Sequence, residues 1–184
     1  MTINAMTRLK ILLVEDDPDR RARIEDLISS ITDTFELEVI VSYEEVLKEI
    51  GLNNHDAYLV SKEFSDNRGL EIIWEISGQG CRGPALVLAN DDDPELESEA
   101  VNLGAMIYLV RDQLSSRFLE RMIRHAIDRK RYEDNIRDNQ EDLIKRMMDL
   151  QDSSERFEAQ SVEYVQMAED LAIAQGELEA ALAD

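Results

Sequence analysis

From Leu114 to Gln175 the chain contains no glycine and no proline, the residues that punctuate helices. Every seventh residue across that stretch is apolar or aromatic with one exception: Met122, Arg129, Ile136, Leu143, Leu150, Phe157, Tyr164, Leu171 and Leu178. Four residues after each come Ala126, Glu133, Gln140, Met147, Ser154, Ser161, Ala168, Gln175 and Leu182. A stripe kept at period seven stays on one face only if a second helix winds around it. A lone helix of this length, about 90 Å at 1.5 Å per residue, would leave that stripe in water. The pattern predicts a coiled coil, read as a parallel homodimer. Its seam runs through Met122, Ile136, Leu143, Met147, Leu150, Phe157, Tyr164, Ala168, Leu171, Leu178 and Leu182. A helical hairpin and an amphipathic membrane-surface helix are the alternatives. No turn signal interrupts the seam, and no basic residue follows Arg156, so anionic lipid repels the acidic end. Polar residues at the second core position (Glu133, Gln140, Ser154, Ser161, Gln175) lower stability and set register. Such marginal packing suits a coil that carries a signal by rotation or register change.

The remaining residues, about 120, suffice for one domain with a proper core. A formal net charge of −21 argues against a nucleic-acid partner, whose phosphates would be repelled. The single cysteine, Cys81, rules out a disulfide framework within the chain and fits a reducing cytosol. No apolar run approaches the roughly 20 residues of a membrane span, and MTINAMTRLK lacks a signal-peptide core. The expectation is a cytoplasmic protein with no membrane partner.

Residues 9–14, LKILLV, read as a strand covered on both faces. Asp17-Pro18 then caps a helix running to about Ile31, with Ile24, Leu27, Ile28 and Ile31 on one face. FELEVIV at 35–41 is a second strand, and Ser42 with Glu45 forms a capping box for a helix ending near Gly51. Residues 57–60 make a third strand. After a turn at 66–69, Leu70, Ile73, Trp74 and Ile76 mark a third helix ending at Gly78. Pro84 leads into a fourth strand, ALVLA, and Asp93-Pro94 caps a helix that Gly104 stops. Residues 106–110 form strand five, and the long helix follows. Apolar strands alternating with helices predict an α/β fold, a doubly wound five-stranded parallel sheet with its crevice at the strands' carboxyl ends. The last domain helix runs into the coil without a joint, giving a tail at 1–8, a domain at 9–128 and a coil at 129–184.

Strand one delivers Glu15 and Asp16 to that crevice, strand three Ser61, strand four Ala89 and strand five Arg111. Adjacent carboxylates at a strand end can hold Mg²⁺, and they equally make a helix cap and a solvated acidic loop. His55 and His125 are too isolated in sequence to suggest a metal, and there is no catalytic triad or phosphate-cradling glycine loop.

From residue 9 to about 130 the chain resembles the receiver domain of two-component response regulators. The resemblance rests on LKILLVEDDPDRRARI, HDAYLVS, NRGLEII, LGAMIYLVRDQL and RFLERMIRHAIDRKR, in order and at matching spacing. It implies a flavodoxin-like sheet of order 2-1-3-4-5. It also implies that Ser61 stands where the family has its phospho-accepting aspartate, Ala89 where it has a hydroxyl, and Arg111 where it has a lysine. Asp112 follows where proline is common. The acidic pair is retained as Glu15 and Asp16, and Tyr108 matches the family's switch aromatic, or simply packs at the sheet edge.

Phosphoryl transfer to such a site needs an ionised carboxylate, Mg²⁺ and a lysine on the incoming oxygens. A serine hydroxyl is protonated at neutral pH and needs an adjacent base, and no histidine is placed to serve, His55 lying at the far end of strand three and His125 within the long helix. Arg111 keeps the charge as a planar fork and is placed to pair with Glu15 or Asp16 and close the crevice. These substitutions predict a non-enzymatic pseudo-receiver that needs no cofactor, with Mg²⁺ in doubt. It dimerises through the coil and passes a signal to an output domain, such as a diguanylate cyclase or histidine kinase, or to a partner. The alternatives are a stand-alone adaptor and a receiver phosphorylated at Ser61 or Asp66. The sequence stops at Leu182-Ala183-Asp184 inside a heptad, which fits a piece of a longer chain.

Overall fold

The computed structural model describes residues 8–31 and 34–182, with side chains to residue 176. The tail expected at 1–8 lies outside it but for its last residue, as do the side chains of Leu178 and Leu182. The chain divides into two compact units, one ending at Glu133 and the other beginning at Asp134.

The first unit is built on five parallel strands: β1 Leu9–Val14, β2 Phe35–Ile40, β3 Ala57–Ser61, β4 Ala85–Ala89 and β5 Ala105–Val110. Their order is β2-β1-β3-β4-β5, the order that the resemblance implies. β3 and β4 are buried at every position, which is why they read as unbroken apolar runs, whereas edge strand β2 alternates. Helices α1 Pro18–Ser29, α2 Tyr43–Leu52, α3 Gly69–Gly78 and α4 Pro94–Asn102 connect the strands, and α5 runs Ser116–Leu182. Leu12, Val14, Tyr58, Val60 and Val87 face a layer made by Val46 and Ile50 of α2, Ile72, Ile73 and Ile76 of α3, and Ala100 of α4. Ile11, Leu13, Leu59, Leu86 and Leu88 face Ile24 and Ile28 of α1 and Leu119, Ile123, Ala126 and Ile127 of α5.

The caps follow the sequence with one exception. Asp17 accepts from the N–H groups of Asp19 and Arg20, and Asp93 from those of Glu95 and Leu96, each ahead of a proline. Ser42 makes no side-chain cap bond, so the expected capping box is absent. The start of α2 rests instead on the bond from Val46 N–H to Ser42 O (3.1 Å) and on Glu44 and Glu45 at the positive end of the helix dipole. Trp74, expected among the apolar residues of its helix, is 58% exposed, because Ile72, Ile73 and Ile76 already fill the face of α3 that meets the sheet. Gly104 has φ +109°, a conformation that stops α4 and excludes a side chain.

The turn between β3 and α3 is the most constrained backbone in the domain. Ser65, Asp66 and Asn67 are consecutive left-handed residues with φ 49°, 59° and 67°. Each non-glycine residue there costs roughly 1–2 kcal/mol, a cost that Asp and Asn reduce by local hydrogen bonding. Asp16 holds the turn by accepting the N–H of Ser65 at 2.9 Å. Gly69 closes it, because a Cβ there would run into Ser61 O and come within 2.8 Å of Lys62 Cα.

In the part of α5 that lies in the first unit, Met122, expected in the seam, is partly buried. It packs against the domain core beside Ile123 and Ala126, since these first turns present a 3.6-residue face to the sheet. Arg129, the polar interruption of the seam, forms an i,i+4 bond with Glu133 at 2.8 Å. The second unit is helical throughout, and its apolar stripe is open: Leu143 is 64% exposed, Leu150 71% and Phe157 71%. No helix among the described residues is long and apolar enough to cross a membrane.

Gly69→Ala should destabilise the domain by about 1–3 kcal/mol, the usual range for an overpacked backbone site. Urea denaturation followed by far-UV circular dichroism checks it.

Candidate functional site

The carboxyl ends of β1, β3, β4 and β5 converge on one guanidinium. Arg111, 3% exposed, begins the short 3₁₀ turn Arg111–Gln113 directly after β5. Its Nη2 donates to Glu15 Oε2 at 2.7 Å and to Ser61 Oγ at 2.6 Å. Its Nη1 donates to Glu63 Oε2 at 2.8 Å and to Asn90 Oδ1 at 2.8 Å. The sequence pointed to the Arg111–Glu15 pair. It did not point to Glu63 or Asn90, which complete the cage.

Glu63 sits two residues beyond Ser61 and holds the loops together. It accepts the Ser61 hydroxyl proton at 3.3 Å on one oxygen and the N–H of Asn90 at 3.4 Å on the other. Burial alone would raise its carboxyl pKa, and the Arg111 guanidinium more than offsets this, holding the group below its ordinary value. A discoverable signal existed: an extra acid beside Ser61 balances an arginine that meets no aspartate at position 61.

Glu15 is fully buried, and both its oxygens are engaged. Oε1 receives Arg20 Nη2 at 3.0 Å, Arg20 Nε at 3.2 Å and the N–H of Asp17 at 3.1 Å, while Oε2 receives Arg111. Asp16 is exposed and turned to Ser65 N–H and, at 3.7 Å, to Arg20. Three carboxylates therefore face two guanidiniums. Arg23 pins the Arg111 turn from outside, donating to Arg111 O at 3.1 Å and pairing with Asp112 at 3.2 Å, the residue standing where proline is common.

Ala89 is buried at the end of β4 and brings no polar atom to the cage. Tyr108 is half-buried, packs against the core, and donates its hydroxyl to Asp91 O at 2.9 Å. Burial, with the carboxylates of Asp93 and Glu63 nearby, raises its phenol pKa and keeps that donor protonated. Asp66 is exposed in the left-handed turn, outside the cage. His55 lies at the other end of β3, and His125 is exposed on α5.

The model of the response regulator receiver domain family matches residues 11–124. No curated protein matches the chain. Among solved structures, the signal receiver domain of a modulated diguanylate cyclase from Desulfovibrio desulfuricans superposes with a TM-score of 0.58 at 22% identity, covering 69% of this chain and 99% of that one. The signal receiver domain of an HD domain-containing protein from Pseudomonas fluorescens gives 0.61 at 20% identity, covering 73% and 98%. The receiver domain of a sensor histidine kinase from Pseudomonas aeruginosa, with magnesium in its active-site cleft, gives 0.58 at 21%, covering 66% and 99%. At these identities the likeness is one of fold.

Arg111→Ala leaves Glu15 buried beside one remaining cation and should cost about 3–5 kcal/mol of stability, measured by urea denaturation. Glu63 has a folded pKa below its unfolded one, so its contribution is complete above the ordinary glutamate pKa of about 4.3 and is lost as pH falls through the folded value. Glu63→Gln should therefore flatten the fall of Tm between about pH 5 and 3 relative to the parent protein.

Proposed function

The chain belongs to the response regulator receiver domain family, and we propose that it signals without aspartyl phosphorylation, as a pseudo-receiver dimerised by its C-terminal helix. The observation that carries this reading is the buried Arg111 guanidinium bonded at once to Glu15, Ser61, Glu63 and Asn90. An incoming phosphoryl group needs an ionised nucleophile and donors with a free face. Ser61 offers a hydroxyl whose oxygen already receives Arg111 and whose proton goes to Glu63, which is itself held by the same arginine.

The residues present also do not fit Mg²⁺. That ion demands near-octahedral oxygen ligation, and both oxygens of Glu15 are committed to arginines while position 61 supplies no charge. Two fixed guanidiniums balance the acids instead. On this reading Tyr108, tied to the Asp91 carbonyl, stays in one arrangement, and the domain serves as a fixed docking and orienting body.

The open stripe at Ile136, Leu143, Met147, Leu150, Phe157, Tyr164, Ala168 and Leu171 favours dimerisation. Solvent-exposed leucine, phenylalanine and methionine at heptad spacing gain from burial, at about 25 cal/mol per Å² of apolar surface, when a second copy covers them. The favoured partner is a second copy in parallel. An output domain following the coil, or a separate signalling protein, would read the coil's orientation.

Incubation with acetyl phosphate and Mg²⁺ should leave the intact mass unchanged, and beryllofluoride should leave the amide NMR spectrum unchanged. A phosphopeptide carrying modified Ser61 or Asp66 overturns the reading. Leu143→Asp and Leu150→Asp should each convert a dimer to a monomer in light scattering, with the domain's circular dichroism retained. A dimer persisting in both variants shows that the coil is not the interface.

A further inference from the structure

Three ligand-bearing side chains that the receiver site does not use meet at the amino-terminal end of the sheet. His55, in the turn before β3, is 3% exposed and packs edge-on against Tyr58 with ring centroids 5.8 Å apart. Its Nε2 lies 3.0 Å from Glu38 Oε2 on edge strand β2, and its Nδ1 has no hydrogen-bond partner. Glu49, in the last turn of α2, brings a second, half-buried carboxylate. One ligand atom from each of the three lies within 4.8 Å of the other two. Neither carboxylate has an arginine or lysine within salt-bridge distance among the described residues.

We propose that Glu38, Glu49 and His55 form a binding site for a borderline divalent cation of the Zn²⁺, Co²⁺ or Ni²⁺ class. Two carboxylates that pair with no arginine or lysine, beside a buried imidazole, make an acid-rich group that a dication balances. The imidazole selects this class, because Mg²⁺ and Ca²⁺ favour all-oxygen cages. In a tetrahedral site with bonds of about 2.0–2.1 Å, ligand atoms stand about 3.3 Å apart. Glu38 Oε2 already stands 3.0 Å from His55 Nε2, small side-chain adjustments of the two carboxylates close the remaining gaps, and water takes the fourth position. The ion would staple edge strand β2 to α2 and to the turn before β3, far along the strands from the Arg111 cage. It would thus stabilise the domain without touching the receiver site.

The test titrates the full-length protein with Zn²⁺, and separately with Mg²⁺, by calorimetry and thermal melting, in the parent protein, His55→Gln and Glu38→Gln. The chain contains two histidines, so ¹⁵N NMR of the ring nitrogens reads His55 directly against His125 as the control. The expected result is one Zn²⁺ per chain, a rise in Tm, a shift confined to a His55 ring nitrogen, and Zn²⁺ affinity at least about tenfold lower in both variants. Glu38→Gln changes an exposed side chain and decides the matter should His55→Gln fail to fold. Zn²⁺ affinity unchanged in Glu38→Gln, or His55 ring nitrogens unmoved at saturating Zn²⁺, overturns the site and leaves adventitious binding to the acidic surface. Equal affinity for Mg²⁺ overturns the assigned class.

Discussion

A buried arginine is among the costliest groups a small domain can hold, since removing its charge from water costs several kcal/mol even after relaxation. Arg111 is tolerated only because two carboxylates, a hydroxyl and an amide oxygen are delivered to it from the ends of β1, β3 and β4. Each of those residues sits where it does because a parallel sheet brings the carboxyl ends of its strands to one edge. The dependence runs both ways. The guanidinium in turn gives the loops after β1, β3 and β4 a common partner.

How much of this was legible in the sequence follows from the range of the interactions. The strands and two of the caps are written in local patterns: unbroken apolar runs, alternation in β2, and Asp-Pro at the starts of α1 and α4; the sheet order was implied only by the resemblance to receiver domains. The Arg111–Glu15 contact could be foreseen because both positions lie at strand ends that the topology joins. Glu63 left only the hint of an extra acid two residues past Ser61, and Asn90 left none, since their roles depend on loop conformations, including three left-handed residues without a glycine among them. Ser42 failed as a cap although its spacing was right, because spacing does not fix a side-chain rotamer. Trp74 was misplaced because a hydrophobic residue adjacent to the buried face of a helix is indistinguishable from one on it until the neighbours are known. The meeting of His55, Glu38 and Glu49 was invisible for the same reason: three elements contribute one residue each.

The long helix illustrates how one element can obey two periodicities. Its opening turns place Leu119, Ile123, Ala126 and Ile127 against the sheet at the spacing of a helix on a flat surface. Met122 belongs to that face as well as to the heptad, so heptad spacing by itself does not separate the two roles. From Asp134 on the apolar positions keep to the heptad spacing. The polar residues at the second core position, Gln140, Ser154 and Ser161, then make any pairing there modest in strength and sensitive to register.

The full occupancy of Glu15 also bears on how such a site changes over evolutionary time. Replacing Ser61 by aspartate in one step would add a carboxylate directly against the Nη2 of Arg111, and that guanidinium would bond it as it now bonds the hydroxyl. The restored acid would be consumed as a salt-bridge partner, while Glu63 continued to compete for the same cation. Regaining an accepting aspartate therefore requires Arg111 and Glu63 to change as well, with each intermediate carrying a mismatched buried charge. The coupled positions constrain one another: none of Ser61, Glu63 and Arg111 can change its charge alone without leaving a buried group mismatched.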